Sequence, residues 1–374
     1  MPSLSDTVRQ NCPDLKPLQE LYKKLHQNPE LSNQEKETSA SIVEQLYKID
    51  GGYVVKSNIG GYGVSAVLKN ADGPTVLLRA DFDALPIEEQ TGLEYASKKR
   101  MKDESGIERP VAHACGHDMH TTCLLGAARL LASAKQYWSG TLVLIFQPAE
   151  ERGTGARAMV DDGLYKKHNV PVPDVVLAGH VLPYRAGDMG IRPGLMASSA
   201  DSMQVTLHGR GAHSSMPDKA VDPVVMAASS VMKLQTVVSR ETDPHDSNVL
   251  TVASLKSGDS DNVIADDAKL AIDVRSSTQH SRKRVLEGVE RIVKLESEAS
   301  KAVKKPDIEN TRSYPTTIND ADVVKQLSAS FAEHFGQGEH GFDPDTAPCG
   351  ASEDFSNLAR AVNKPYGELS FSCH

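Results

Sequence analysis

The chain has 374 residues, 39% apolar and 24% charged, with a formal net charge of −9 at pH 7. That length allows two domains with substantial cores, and the acidic balance argues against nucleic acid or an anionic membrane as the main partner. No apolar run reaches the roughly 18 to 20 residues of a membrane span, and the opening MPSLSDTVRQ lacks the basic-then-apolar layout of a secretory signal.

The cysteines, Cys12, Cys115, Cys123, Cys349 and Cys373, are few and odd in number, and there is no Asn-x-Ser/Thr sequon. A cytoplasmic chain with free thiols is expected rather than a disulfide framework. Along the chain, Leu18, Leu21, Tyr22 and Leu25 recur at helical spacing, so residues 14–48 read as one or two helices broken near Asn28-Pro29. GVSAVLK and TVLLRA (75–80) read as strands, LLGAARLLASA (124–134) as a buried helix and TLVLIF (141–146) as a buried strand. GARAMVDDGLY follows as a helix and DVVLAGHV (174–181) as a strand. Alternating buried strands and helices predict an α/β fold with its site on loops at strand ends.

From about residue 188 the texture changes. SMQVTLHG, VDPVVMAASSVMKLQTVVS, NVLTVASLKSG, AKLAIDVRSS and SRKRVLEGVERIVKLESEA read as β-α-β-β-α, and a strand near 307–313 would close a ferredoxin-like pattern. Leu270, Ile272 and Val274 fall on one side of their strand, as a sheet with one wet face requires. The expected organisation is a catalytic domain in two parts, 1–187 and 314–374, with an α+β domain, 188–313, inserted between them.

Chemistry concentrates at strand ends. HACGHD places Cys115 and His117 at i, i+2 between a predicted strand and helix, a pairing that suits zinc, manganese or cobalt better than magnesium or calcium. A small core cysteine with helix-capping histidines would give the same pattern. LIFQPAEE ends a strand in two acids, Glu150 and Glu151. Adjacent carboxylates point different ways, so one can bind metal while the other handles a proton, though acid pairs are also ordinary solvated surface. VVLAGHV supplies His180, and RADFDALP offers Asp81 and Asp83, with Asp83 suited to orient a ligand. A cysteine hydrolase built on Cys115 competes with the metal reading, but the paired glutamates speak against it.

In this order, RADFDALPIEE, HACGHDMHTT, FQPAEE, GHV, GRGAHSSMPDKAVDP and GASEDFS resemble the dinuclear metal amidohydrolases of the aminoacylase type. That group includes auxin–amino acid conjugate hydrolases, hippurate hydrolases and N-acyl-amino-acid deacetylases. The resemblance runs from LHQNPELSNQE (25–35) to about Leu358. It implies a zinc-peptidase-like catalytic domain with an inserted ferredoxin-like lid and dimerisation domain. It further implies two divalent ions (zinc, manganese or cobalt), with Cys115 bridging them and His117, Glu151 and His180 as further ligands. Glu150 would be the general base and Asp83 an orienting acid. His213 would stabilise an oxyanion in a partner subunit's site, and Asn262 and Arg275 would hold the scissile carbonyl and the substrate carboxylate. The implied reaction is hydrolysis of the amide of an N-acyl amino acid or related small amide, by a homodimer.

The tail departs from that pattern. The family continues past GASEDFS to a final metal-binding histidine in a His-Ser/Thr-Pro setting, whereas here NLARAVNKPYGELSFSCH follows and His374 is the sole histidine. The catalytic domain therefore reads as shortened, and the alternative expectation is a non-catalytic or weakly active relative.

Overall fold

A computed structural model describes residues 3–336 and 341–372, so Cys373 and His374 lie outside the described residues. The chain divides into two compact units. The first comprises Met1–Met196, Thr317–Pro348 and Glu353–His374, and the second Ala197–Thr316 with Cys349–Ser352.

The first unit is built on strands β1 (Val54–Ile59), β2 (Gly63–Asn70), β3 (Thr75–Asp81), β4 (Gly140–Gln147), β5 (Val175–Val181), β6 (Met189–Gly190), β7 (Phe342–Asp343) and β8 (Tyr366–Phe371). They form one mixed sheet in the order β1-β2-β4-β3-β5-β8-β6-β7. The four middle strands, β4, β3, β5 and β8, are mutually parallel, while β1 and β2 extend the sheet antiparallel.

Period-two alternation explains the unbroken apolar run of β4. Leu142, Leu144 and Phe146 enter a core with Leu21, Leu25, Leu46 and Leu125 from the helices Lys16–Gln27, Lys36–Tyr47 and His117–Ser133. Val143 and Ile145 enter the opposite core with Met159, Val176 and Phe355. A strand covered on both faces has no place for a solvated residue. The helix predicted over GARAMVDDGLY spans only Gly155–Asp161, because Gly163 adopts φ +84 and turns the chain.

Two charges, Arg79 and Asp81, break the apolar pattern of β3. Arg79 is buried and grips both oxygens of Glu353, each at 2.9 Å. It also donates to Asp81 Oδ2 at 2.7 Å and, through Nε, to Gln147 Oε1 at 2.8 Å. Arg79 and Asp81 stand two apart on one strand face, so their pairing follows from the pleat.

A second clamp joins two helices. His26 Nδ1 lies 2.6 Å from Asp118 Oδ2 and Nε2 lies 3.0 Å from Glu89 Oε1. The hydrogen bond to Asp118, reinforced by Glu89 against the opposing effect of burial, raises the His26 pKa to about 9.

The second unit is a four-stranded antiparallel sheet with Asn248–Lys256 at one edge, then Asp267–Ser276 and Ser199–His208, and Asp307–Tyr314 at the other. In chain order the elements run strand, helix Pro223–Thr236, strand, strand, helix Gln279–Ala299, strand. Leu270, Ile272 and Val274 are buried with Val205, Leu207 and Val289 in one core. Asp222 caps the first helix by accepting from Val224 N at 2.8 Å, with Pro223 at its first turn.

Two stability outcomes follow. Arg79→Met leaves buried carboxylates without their cation and should lower unfolding free energy by about 3–5 kcal/mol in urea titration; a change under about 1 kcal/mol would contradict the role. The folded-state pKa of His26 lies above its ordinary 6.5, so its contribution is complete below about 6.5 and is lost as pH rises through about 9. The stability gap between the native chain and His26→Gln should therefore shrink across that window; a constant or widening gap would refute the charged clamp.

Candidate metal centre

Three parallel strands deliver the candidate residues at one end of the sheet. Asp81 is the last residue of β3, level with Gln147 at the end of β4. Arg79 pairs with Ala178 on β5, which sets His180 at the same height as Asp81. This is the strand end at which α/β sheets carry their sites.

Cys115 and His117 reach this end through a tight turn. His117 opens the helix His117–Ser133, rather than lying in an extended loop, and Gly116 before it has φ +77. A Cβ on Gly116 would stand 2.3 Å from Val181 Cγ1, so only glycine fits the close approach to β5. After β4 the chain bends through Ala149, at φ +49 and ψ +38, into the single 3₁₀ turn Glu150–Arg152.

The outcome is a shared cluster. One ligand atom each from Cys115, His117 and His180 lie within 4.8 Å of one another, as do those of His117, Glu150 and Glu151. His117 belongs to both groups and is fully buried.

Carboxylates surround that imidazole. Its Nδ1 is 3.3 Å from Asp83 Oδ1, and its Nε2 is 3.6 Å from Asp81 Oδ2 and 3.9 Å from both Glu150 Oε2 and Glu151 Oε1. Burial alone would lower its pKa, but Asp81 and Asp83 hold it well above the ordinary value. Burial, with the charges of Glu353 and Asp354, pushes the Glu150 carboxyl well above its usual range against the pull of His117. Burial likewise raises Glu151 and the Cys115 thiol. Burial and the neighbouring His120 push His180 down to about 3.

Hydrogen bonds aim the members. Asp83 accepts Glu150 N–H at 3.1 Å on Oδ1, and Glu151 N–H at 3.0 Å and the Ser32 hydroxyl at 2.6 Å on Oδ2. His180 Nδ1 lies 2.7 Å from the Val181 carbonyl, an acceptor only, so Nδ1 carries the proton and Nε2 keeps its lone pair. His120 takes the same tautomer: Nε2 accepts Val181 N–H at 2.8 Å, and Nδ1 donates to Asp81 Oδ1 at 2.6 Å.

His120, Arg79, Glu353 and Glu35 escaped the sequence reading as site components. The available signals were an arginine inside the apolar run TVLLRA and a second histidine three residues after His117, one helical turn along.

His213, Asn262 and Arg275 lie in the second unit. His213 and Val263 pair in a short ladder, and Ser214 N–H donates to the Asn262 carbonyl at 2.9 Å. The Ser215 N–H points at His213 Nδ1, at 3.2 Å, which assigns the imidazole proton to Nε2 of this exposed ring. Arg275 is held by Asp273 Oδ1 at 2.8 Å from Nε and by Ser352 Oγ at 3.0 Å from Nη1.

The residues fit a divalent transition-metal ion. Both ring nitrogens of His117 and Oε1 of Glu151 are buried without a hydrogen-bond partner. Such atoms are costly unless something positive or protic meets them. The donor set of thiol, imidazoles and carboxylates matches zinc, manganese or cobalt.

The chain is similar to several known proteins. The chain is 38% identical over 363 residues to a hippurate hydrolase of Campylobacter jejuni, covering 96% of this chain and 90% of that one. It is 33% identical to IAA-amino acid hydrolase ILR1-like 5 of Arabidopsis thaliana, covering 94% and 76%. The fold superposes with a TM-score of 0.73 on the YXEP protein of Bacillus subtilis, described as a dinuclear metal-binding peptidase of the M20 family. That pair is 27% identical, with 95% of this chain and 88% of the other covered. Residues 77–372 match the profile of Peptidase family M20/M25/M40, and the chain belongs to that family.

Proposed function

We propose that this chain is a metal-dependent amidohydrolase that cleaves an N-acyl amino acid or a related small amide. The carrying observation is that Cys115 and His117 from the turn into the helix His117–Ser133, Glu150 and Glu151 from the turn after β4, and His180 from β5 form two groups that share His117. Cys115, His117, Glu151 and His180 would hold two divalent ions. Divalent ions held there would supply Lewis acidity, lowering the pKa of water and polarising the amide carbonyl.

The chain's own residues do the rest. Glu150 stands beside the ligands and takes the proton of the attacking water, then returns it to the leaving amine. Its buried setting, which raises its proton affinity, suits that second task. Asp83 keeps Glu150 and Glu151 apart in direction by receiving both backbone N–H groups. In the second unit, His213 Nε2–H is an outward donor for a developing oxyanion, and Asn262 holds the carbonyl. Arg275, fixed by Asp273 and Ser352, turns its remaining Nη hydrogens to a substrate carboxylate.

A homodimer through the second unit completes the reading. Val225 and Met232 are exposed one heptad apart on the helix Pro223–Thr236, and Val249 and Leu255 are exposed on the edge strand Asn248–Lys256. An unpaired sheet edge beside an apolar helix face is a natural seat for a second copy. Among the described residues no helix is long and apolar enough to cross a membrane; a small-molecule amide hydrolase of the cytoplasm is the proposed setting.

Chelation should abolish turnover of a panel of N-acyl amino acids, and zinc, manganese or cobalt should restore it. Glu150→Gln should keep its metal while kcat falls by about 10²–10⁴-fold. Activity that survives chelation, or no turnover across the panel after reconstitution, would overturn the proposal.

Subunit mixing tests the dimer. Glu150→Gln and His213→Ala proteins, each inactive, should regain about a quarter of native activity when mixed and allowed to exchange, since half the dimers then hold one intact site. Mixtures as inactive as their parents would refute a His213 borrowed from the partner.

A further inference from the structure

We propose that Glu35 is a positioning residue for Glu150, acting through the backbone of Ala149. The inference rests on the reading of Glu150 as the base and names what sets its direction.

Glu35 is fully buried, at 0% exposure. Its Oε1 accepts Ala149 N–H at 2.8 Å, across 114 positions of chain, and Asn33 N–H at 2.9 Å. Together with Asp83 it receives the N–H groups of three successive residues, Ala149, Glu150 and Glu151. Ala149 sits in the left-handed region, which side chains other than glycine rarely adopt, so the bend must be held from outside. Glu35 supplies that hold at the entry to the turn, where Asp83 does not reach.

An ordinary capping role does not account for Glu35. It precedes the helix Lys36–Tyr47, but that helix already has its cap: Glu30 Oε2 accepts Thr38 N–H and the Thr38 hydroxyl, each at 2.8 Å. The Glu35 side chain makes no cap bond to its own helix. Its Oε2 is buried without a partner, a cost that stability alone gives no reason to keep. Burial, with Asp83 nearby, pushes its pKa up to about 8, and glutamine keeps the acceptor oxygen for Ala149 N–H without a charge.

The experiment compares Glu35→Ala, Glu35→Gln, Glu150→Gln and the double variant Glu35→Ala/Glu150→Gln as metal-loaded proteins. Substrate is the N-acyl amino acid that the native protein turns over fastest, and backbone hydrogen exchange is followed over residues 147–153. Glu35→Ala should lower kcat by about 10–100-fold with KM within about threefold and metal content unchanged. It should also speed exchange at Ala149. Glu35→Gln keeps an acceptor for Ala149 N–H and should restore kcat to within about threefold of native, with exchange protected. The double variant should be no slower than Glu150→Gln alone, since Glu35 then has no base to aim. Native kcat or unchanged exchange in Glu35→Ala overturns the proposal. So does a glutamine variant as poor as alanine, or a double variant slower than Glu150→Gln. Full kcat in Glu150→Gln would instead remove the base reading, whatever Glu35 does.

Discussion

The organising constraint is an excess of buried carboxylate around His117. Asp81, Asp83, Glu150 and Glu151 all approach its ring within 4 Å. Glu353 and Asp354 lie behind them, their oxygens within 4.8 Å of that of Glu150. Unpaired anions in such a place cost several kcal/mol each, so the surrounding fold is arranged to compensate them. Arg79 serves one side as a fixed cation, and backbone N–H groups serve Asp83. Burial acts on the others, pushing the carboxyls of Glu35, Glu150 and Asp354 up from their usual range. What remains is a demand for positive charge among these carboxylates, which a divalent cation would meet.

Asp81 and Asp83 show how position, not residue type, divides the labour. Asp81 is the last ladder residue of β3, so its side chain shares a face with Arg79 and is drawn into the ion pair and the His120 contact. Burial would raise its carboxyl, yet Arg79, His117 and His120 hold it well below the usual range. Asp83 lies past the strand end, where no ladder occupies its surroundings, and there it collects the N–H groups of the Glu150 turn. The two histidines divide in the same way. His120 spends its Nε2 on Val181 N–H and is committed to structure, whereas His180 turns Nδ1 to a carbonyl and leaves Nε2 for a ligand.

The elements with one strong period were legible in the chain. β3, β4 and β5 announce themselves as continuous apolar runs because they are buried on both faces, and the strand Asp267–Ser276 as alternation because it is buried on one. β1 was not legible, since VVKSNI lies at the sheet edge and has a mostly exposed pattern. The motifs singled out Cys115, His117, Glu150, Glu151 and His180, and the fold brings them together in groups that share His117. The supports were hidden by distance. Nothing local ties Glu35 to Ala149, Arg79 to Glu353 or His26 to Glu89, because each pair is far apart in sequence and meets only in the folded chain. Polar residues in buried networks look like ordinary surface until their partners are known.

This distribution also determines where the molecule can tolerate change. The turn at Gly116, the left-handed Ala149 and the orphan atoms of His117, Glu35 and Glu151 all oppose folding. They persist because two apolar layers close on the sheet from either side, one against Leu142, Leu144 and Phe146 and one against Val143 and Ile145. A methylene removed from either layer subtracts from the margin that holds the strained turns in place. Core substitutions far from His117 therefore act on the centre through β4, whose last residue, Gln147, both receives Arg79 and leads into the Glu150 turn. The sheet supplies a common base for charges that would otherwise separate, and the candidate ligands keep their mutual distances because that base is packed on both faces.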